Sequence, residues 1–190
     1  MLSIADIMSG GNILVIYLDN AATTLYKPQA VYDAVMHAMK NYGNSGRGYG
    51  ETSLEASRGI FEARKCLAEF FGGDNTSGLI FTSNATEALN TVIHGLFNEG
   101  DTVITTNLEH NSVLRPLYYA GERGVKTEIV SCSDNGFFDA DDIEDMITKA
   151  TKAIICTHAS NLTGNVVDIK KIGEIAKNHN LLFIVDASQT

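Results

Sequence analysis

Between Pro28 and Tyr42 apolar residues return at four-residue intervals, Val31, Val35 and Met39, and Leu54 to Phe71 carries a helical spacing through Ile60, Leu67 and Phe70. Both stretches read as amphipathic helices. Between them Gly43-Asn44-Ser45-Gly46-Arg47-Gly48-Tyr49-Gly50 holds too much glycine for regular structure and reads as a loop. From Leu79 the pattern becomes regular. Short apolar runs at Leu79–Thr82, Thr102–Thr106, Lys126–Val130, Lys152–Thr157 and Leu181–Val185 predict strands. Helices are predicted between them at Thr86–Phe97, Val113–Arg123, Asp139–Lys149 and Asp168–Asn178. Strands that alternate with helices of this length build right-handed βαβ units, so the fold class is α/β, a three-layer, mostly parallel sheet with helices on both faces.

No internal repeat, low-complexity tract or linker interrupts this order, so residues 16–190 read as one domain behind an N-terminal arm, residues 1–15. The apolar run Ile13-Leu14-Val15-Ile16-Tyr17-Leu18 reads as a strand, being far shorter than the roughly 20 residues that cross a bilayer. The sequence closes on Ala187-Ser188-Gln189-Thr190, just past a strand as apolar as Leu-Leu-Phe-Ile-Val. A doubly wound sheet ordinarily continues from there, and so apolar an edge is a liability, so the domain is expected to be an incomplete part of a longer polypeptide and to associate with other chains.

Charge narrows the classes of function. Against 14 Lys+Arg stand 23 Asp+Glu, a net charge of −9 that repels a phosphate backbone or an anionic lipid surface, so neither nucleic acid nor membrane is the expected partner. Met1 to Met8 lacks a basic start and is interrupted by Asp6, so no secretory signal is read and the expected location is cytoplasmic. Cys66, Cys132 and Cys156 are odd in number, widely spaced and without a CxxC pair, which fits reduced thiols acting as small apolar residues rather than zinc ligands or nucleophiles.

In a parallel sheet, ligands collect at the carboxyl ends of the strands, so the residues just beyond each strand carry the candidate chemistry. After Leu79–Thr82 comes Ser83-Asn84-Ala85-Thr86-Glu87, with Asn84 suited to an N-cap and Glu87 to the N3 position. The free N–H groups of Ala85 and Thr86, the helix dipole and the Thr86 hydroxyl form a candidate phosphate site; an ordinary capped helix is the alternative. After Thr102–Thr106 comes Asn107-Leu108-Glu109-His110-Asn111-Ser112, where His110 is placed to stack on an aromatic ligand or shuttle a proton, or else is a surface histidine. After Lys152–Thr157, Asn161 can both donate and accept hydrogen bonds, within a segment that also reads as a simple turn. The last strand delivers Asp186, with Gln189 close behind. A carboxylate there requires a cation or donors opposite it; the protonated ring nitrogen of a cofactor fits, and a structural ion pair is the alternative. Neither GxGxxG after a strand nor GxxxxGK[ST] occurs, and no residues have metal-ligand spacing.

Together these segments resemble the class V aminotransferase family of pyridoxal-phosphate enzymes, in particular the cysteine desulfurases and selenocysteine lyases. The likeness runs from Tyr17-Leu18-Asp19-Asn20-Ala21-Ala22-Thr23-Thr24 to Val185-Asp186-Ala187-Ser188-Gln189-Thr190. It implies the large domain of fold-type I transferases and the cofactor pyridoxal 5'-phosphate. Ala85 and Thr86 would hold its phosphate, His110 would stack on its ring and act catalytically, Asn161 and Gln189 would contact the ring hydroxyl, and Asp186 would pair with the ring nitrogen. The loop around Arg47 resembles the segment that, in these homodimers, reaches the partner's active site.

The implied activity is removal of sulfur from L-cysteine to leave L-alanine, with a sulfur-acceptor protein as a further partner. Selenocysteine lyase or another class V aminotransferase or lyase is the alternative. The family's covalently bonding lysine lies in a His-Lys pair beyond the Asp…Gln motif, and the sequence ends at Thr190 before reaching it. The substrate-carboxylate arginine and the mobile-loop cysteine are likewise without counterparts, so a fragment that only dimerises or binds the cofactor weakly is the reading from a different class.

Overall fold

The computed structural model describes residues 16–190, which divide into two compact units between Ala56 and Ser57. The expected arm over residues 1–15 lies outside the described residues, as does half of the expected strand at its end. Its described portion, Ile16 to Leu18, is irregular.

In the first unit, α1 (Gln29–Asn41) forms where the periodicity places it, yet it buries none of its residues: Val31, Val35 and Met39 are all exposed. The glycine-rich segment is a loop. Asn44 Oδ1 accepts from Gly46 N and Arg47 N, at 2.8 and 3.2 Å, turning the chain tightly. A side chain at Gly48 would place its Cβ 1.8 Å from Ser53 Oγ, so the close approach itself demands glycine. The helix α2 (Glu51–Phe70) opens in this unit and runs into the second.

The second unit holds the sheet. Its elements are α3 (Ala85–Leu96), β1 (Thr102–Thr106), α4 (Asn111–Gly121), β2 (Lys126–Val130), α5 (Ala140–Asp145), β3 (Thr151–Thr157), α6 (Ile169–Asn178) and β4 (Leu182–Asp186). The four strands are parallel in the order β2-β1-β3-β4. Alternate residues of β1 and β3 serve opposite faces. Val103, Ala153 and Ile155 pack with Leu89 and Ile93 of α3, with Phe97 at its C-terminal cap, and with Val113, Leu117 and Ala120 of α4. Ile104, Ile154 and Cys156 pack with Ile143 of α5 and Ile172, Ile175 and Ala176 of α6. The chain leaves β1 in one direction through α4 and returns past it through α5 on the other face, as right-handed crossovers require. The expected three-layer α/β sheet is therefore present. No helix among the described residues is long and apolar enough to cross a membrane.

Two predicted elements are corrected. Residues 79–82 are not a strand: no described strand pairs with them, and Ile80 is exposed. An apolar run becomes a strand only where a neighbour completes its ladder of hydrogen bonds. The helix expected over Asp139–Lys149 is α5, which ends at Asp145. Asp139 and Asp142 close a capping box at its start, but Thr148 N donates to Thr151 Oγ1 at 2.9 Å and draws the chain out of the helix toward β3.

Ile154 lies in an interior strand with no exposed surface. Ile154→Ala is expected to cost about 2–5 kcal/mol of unfolding free energy through lost burial and the cavity left behind. Leu162→Ala, at a side chain that is almost fully exposed, should cost under about 0.5 kcal/mol. Denaturant unfolding of the two variants checks the contrast, and equal losses would contradict the assigned core.

Candidate functional site

Because β2 and β3 lie on opposite sides of β1, the connections leaving the carboxyl ends of β1 and β3 diverge to opposite faces and open a crevice. A cavity of about 260 Å³ occupies this end of the sheet. All six candidate residues, Ala85, Thr86, His110, Asn161, Asp186 and Gln189, line it, although they come from four segments spread over more than half the chain.

Ala85 and Thr86 begin α3. Asn84 Oδ1 accepts from Glu87 N at 2.9 Å, and Glu87 Oε2 accepts from Ser83 N at 2.7 Å, a reciprocal cap. That backbone hydrogen bond from Ser83 holds the Glu87 carboxyl below the usual carboxylate range. The cap leaves Ala85 N–H and Thr86 N–H without acceptors among the described residues, both directed from a helix start on the cavity wall.

His110 is the N-cap of α4. Its Nδ1 accepts from Ser112 N at 3.1 Å and lies 2.9 Å from Ser112 Oγ. A backbone N–H can only donate, so in the neutral ring Nδ1 keeps its lone pair and Nε2 carries the proton. Ser112, which sequence reasoning passed over, thus sets the tautomer of His110.

Asn161 sits in the turn after β3, where Ser160 Oγ accepts from Leu162 N and Thr163 N and Gly164 adopts a positive φ of 73°. Gln189 lies past β4 in a second turn, organised by Asp186, whose Oδ1 accepts from Ser188 N at 3.0 Å and from the Ser188 hydroxyl. Asp186 is buried, and no basic side chain forms an ion pair with it among the described residues. The structural ion pair is therefore not what holds this carboxyl, and a cation in the cavity would meet it.

The residue that sequence reasoning missed is Glu109. It is 7% exposed, and its Oε1 accepts from Thr106 Oγ1 at 2.7 Å and from Thr157 N at 3.0 Å. Its Oε2 is buried without a partner among the described residues. Burial first, and then the nearby Asp186, push its carboxyl up to about 7 against the two stabilising hydrogen bonds. The polar segment around it was visible in the sequence; its burial was not.

The cysteines are unpaired. Burial, aided by Glu109, pushes Cys156 up to about 12 and raises Cys132, so both remain thiols at neutral pH and neither is an activated nucleophile. No lysine lines the cavity. Lys171, on α6, instead bonds Asp141 and Asp139 at 2.7 and 3.0 Å, and those bonds raise its pKa further.

A family model described as aminotransferase class-V matches residues 16–190. A probable cysteine desulfurase of Methanothermobacter thermautotrophicus is 39% identical over 177 residues, covering 92% of this chain and 44% of the relative. Another, from Halobacterium salinarum, is 37% identical over 188 residues, covering 96% of this chain and 45% of the relative. The apo structure of a cysteine desulfurase from Thermococcus onnurineus NA1 superposes with a TM-score of 0.83 at 36% identity, over 91% of this chain and 44% of that one. The chain thus spans under half the length of the relatives it matches.

The raised pKa of Glu109 gives stability a defined pH dependence. Between its ordinary value of 4.5 and about 7 the folded chain keeps a proton that the unfolded chain has released, so this group's contribution is full below 4.5 and is lost as pH rises toward 7. The loss is on the order of 3 kcal/mol. Glu109→Gln cannot ionise. Apart from a constant offset from the amide, its melting temperature should rise relative to the parent by several degrees between pH 5 and pH 8.5. An equal difference between the two proteins at both pH values would contradict the assignment.

Proposed function

Because the chain belongs to the class V aminotransferase family, we propose that the protein carrying it is a pyridoxal-phosphate-dependent cysteine desulfurase that takes sulfur from L-cysteine and leaves L-alanine. The observation that carries this reading is the convergence, on one cavity, of a helix start with two free N–H groups, a histidine and a buried carboxyl without a basic partner. Members of the family use pyridoxal phosphate, and the residues present suit it.

The N–H groups of Ala85 and Thr86, with the Thr86 hydroxyl, are donors for its phosphate. The Asp186 carboxylate suits a protonated ring nitrogen and would hold the proton there. Asn161 and Gln189 offer hydrogen bonds to the ring hydroxyl from separate turns. His110 would cover the ring, and its Nε2, which carries the proton in the neutral tautomer, is the atom from which a proton could be passed. Bound there, the cofactor supplies an electron sink for bonds at the substrate's α-carbon.

The relatives named as desulfurases support cysteine as substrate. We propose a homodimer, supported by the exposed apolar stripe of α1 and by β4 standing at the edge of the described sheet, with the loop around Arg47 reaching the partner's site. A sulfur-acceptor protein and a cytoplasmic location complete the reading, the latter supported by three unpaired cysteines.

In the whole protein Asp186→Asn should lower turnover on the order of 100-fold while sparing cofactor binding, since a neutral amide cannot hold the ring proton. Sulfide release from cysteine measures this, and near-normal turnover would refute the role. The 190-residue chain, with no lysine on the cavity, is expected to bind pyridoxal phosphate weakly and to release no sulfide. A yellow, active monomer would overturn that expectation.

A further inference from the structure

Apart from the groups already assigned to the cavity, the described chain contains one other buried carboxyl at this end of the sheet, and it bonds across two neighbouring strand ends. Glu109 immediately precedes His110 on the segment leaving β1, and its Oε1 reaches Thr157, the last residue of β3 and 48 positions away. The strand register between β1 and β3 ends at Ile104↔Ile154, leaving the last residues of both strands beyond the paired positions. The Glu109 to Thr157 bond spans that gap. Thr157 in turn is paired with Asp186, and His158 N donates to Asp186 O at 2.9 Å. One carboxyl oxygen therefore stands between the segment that carries His110 and the strand end that carries Asp186.

We propose that Glu109 is a positioning residue of the cavity: Oε1 fastens the carboxyl ends of β1 and β3 to each other, and Oε2 carries a proton. As a statement about cofactor placement it rests on the function proposed above; as a statement about the fold it does not. The groups facing Glu109 are Thr106 of β1, Thr157 and Cys156 of β3, Asp186 of β4 and Cys132 after β2. None is cationic. An ionised Glu109 would therefore add a second buried negative charge beside Asp186 with nothing to balance it, whereas the neutral acid keeps both hydrogen bonds to Oε1. The raised pKa of the group agrees with this arrangement.

The test uses the 190-residue chain and its Glu109→Gln and Glu109→Ala variants. Carboxyl carbon resonances tracked from pH 4 to 9 should show Glu109 titrating near neutrality, and the Thr157 amide resonance should follow the same transition in the parent and not in Glu109→Gln. The Thr157 amide should exchange with solvent about tenfold faster in Glu109→Ala, with protection restored in Glu109→Gln, which keeps the acceptor. Titration of Glu109 in the ordinary carboxylate range overturns the proposal, as does a Thr157 transition near neutrality that persists in Glu109→Gln or unchanged exchange at Thr157 in both variants. If Glu109→Ala does not fold, the titrations of the parent and Glu109→Gln decide alone. Added pyridoxal phosphate should bind the parent and Glu109→Gln alike and weakly; the resonances decide the tie whether or not this chain takes up the cofactor, and sulfide release by the whole protein decides the cofactor reading.

Discussion

β1 and β3 are buried on both faces, and that burial constrains everything else in the second unit. A strand covered on both sides gives its central residues to packing and leaves its polar side chains chiefly toward its ends. Val103 and Ile104, like Ala153, Ile154, Ile155 and Cys156, have no exposed surface. Polar groups are displaced to the strand ends, and reversal of strand order about β1 opens those ends into a cavity. The place of the site is thus a by-product of how the core is closed.

At those ends the dominant electrostatic fact is acidity without a counter-ion. Asp186 and Glu109 are both buried, and neither forms an ion pair with a basic side chain. Two buried carboxylates so placed cannot both be charged cheaply. The structure treats them differently: Asp186 receives the Ser188 N–H and hydroxyl on one oxygen, while Glu109 has one oxygen doubly bonded by donors and the other sealed off. The positive end of the α3 helix, on the same wall, supplies donors for an anion. A ligand that is anionic at one end and cationic at the other meets complementary groups at each, which is why the cavity suits pyridoxal phosphate better than a simple anion.

The first unit shows the opposite condition. α1 keeps Val31, Val35 and Met39 exposed, and the glycine loop is shaped by backbone approach at Gly48 rather than by a core. An apolar stripe of this length in water is a surface awaiting a neighbour, in keeping with the proposed homodimer.

Much of this was legible in the sequence because it depends on local rules. Apolar runs bounded by polar turns identified β1 to β4, helical spacing identified α1 to α4 and α6, and Asn84 with Glu87 announced a capped helix whose first N–H groups are free. The six candidate residues stand out by position, each a short step beyond an apolar run. Local rules failed where pairing or burial decides. Leu79 to Thr82 has a strand's composition and no strand beside it, and α5 stops early because a threonine offers its backbone another partner. Glu109 looks like any surface glutamate in a polar segment; its character comes from a bond to Thr157 and the approach of Asp186 across the sheet. Sequence alone determined which residues can form helices, strands and caps, since those preferences act within a few residues of one chain. Only the tertiary structure decided which polar groups lose water and whom they meet, because desolvation and charge proximity depend on contacts between segments distant in sequence.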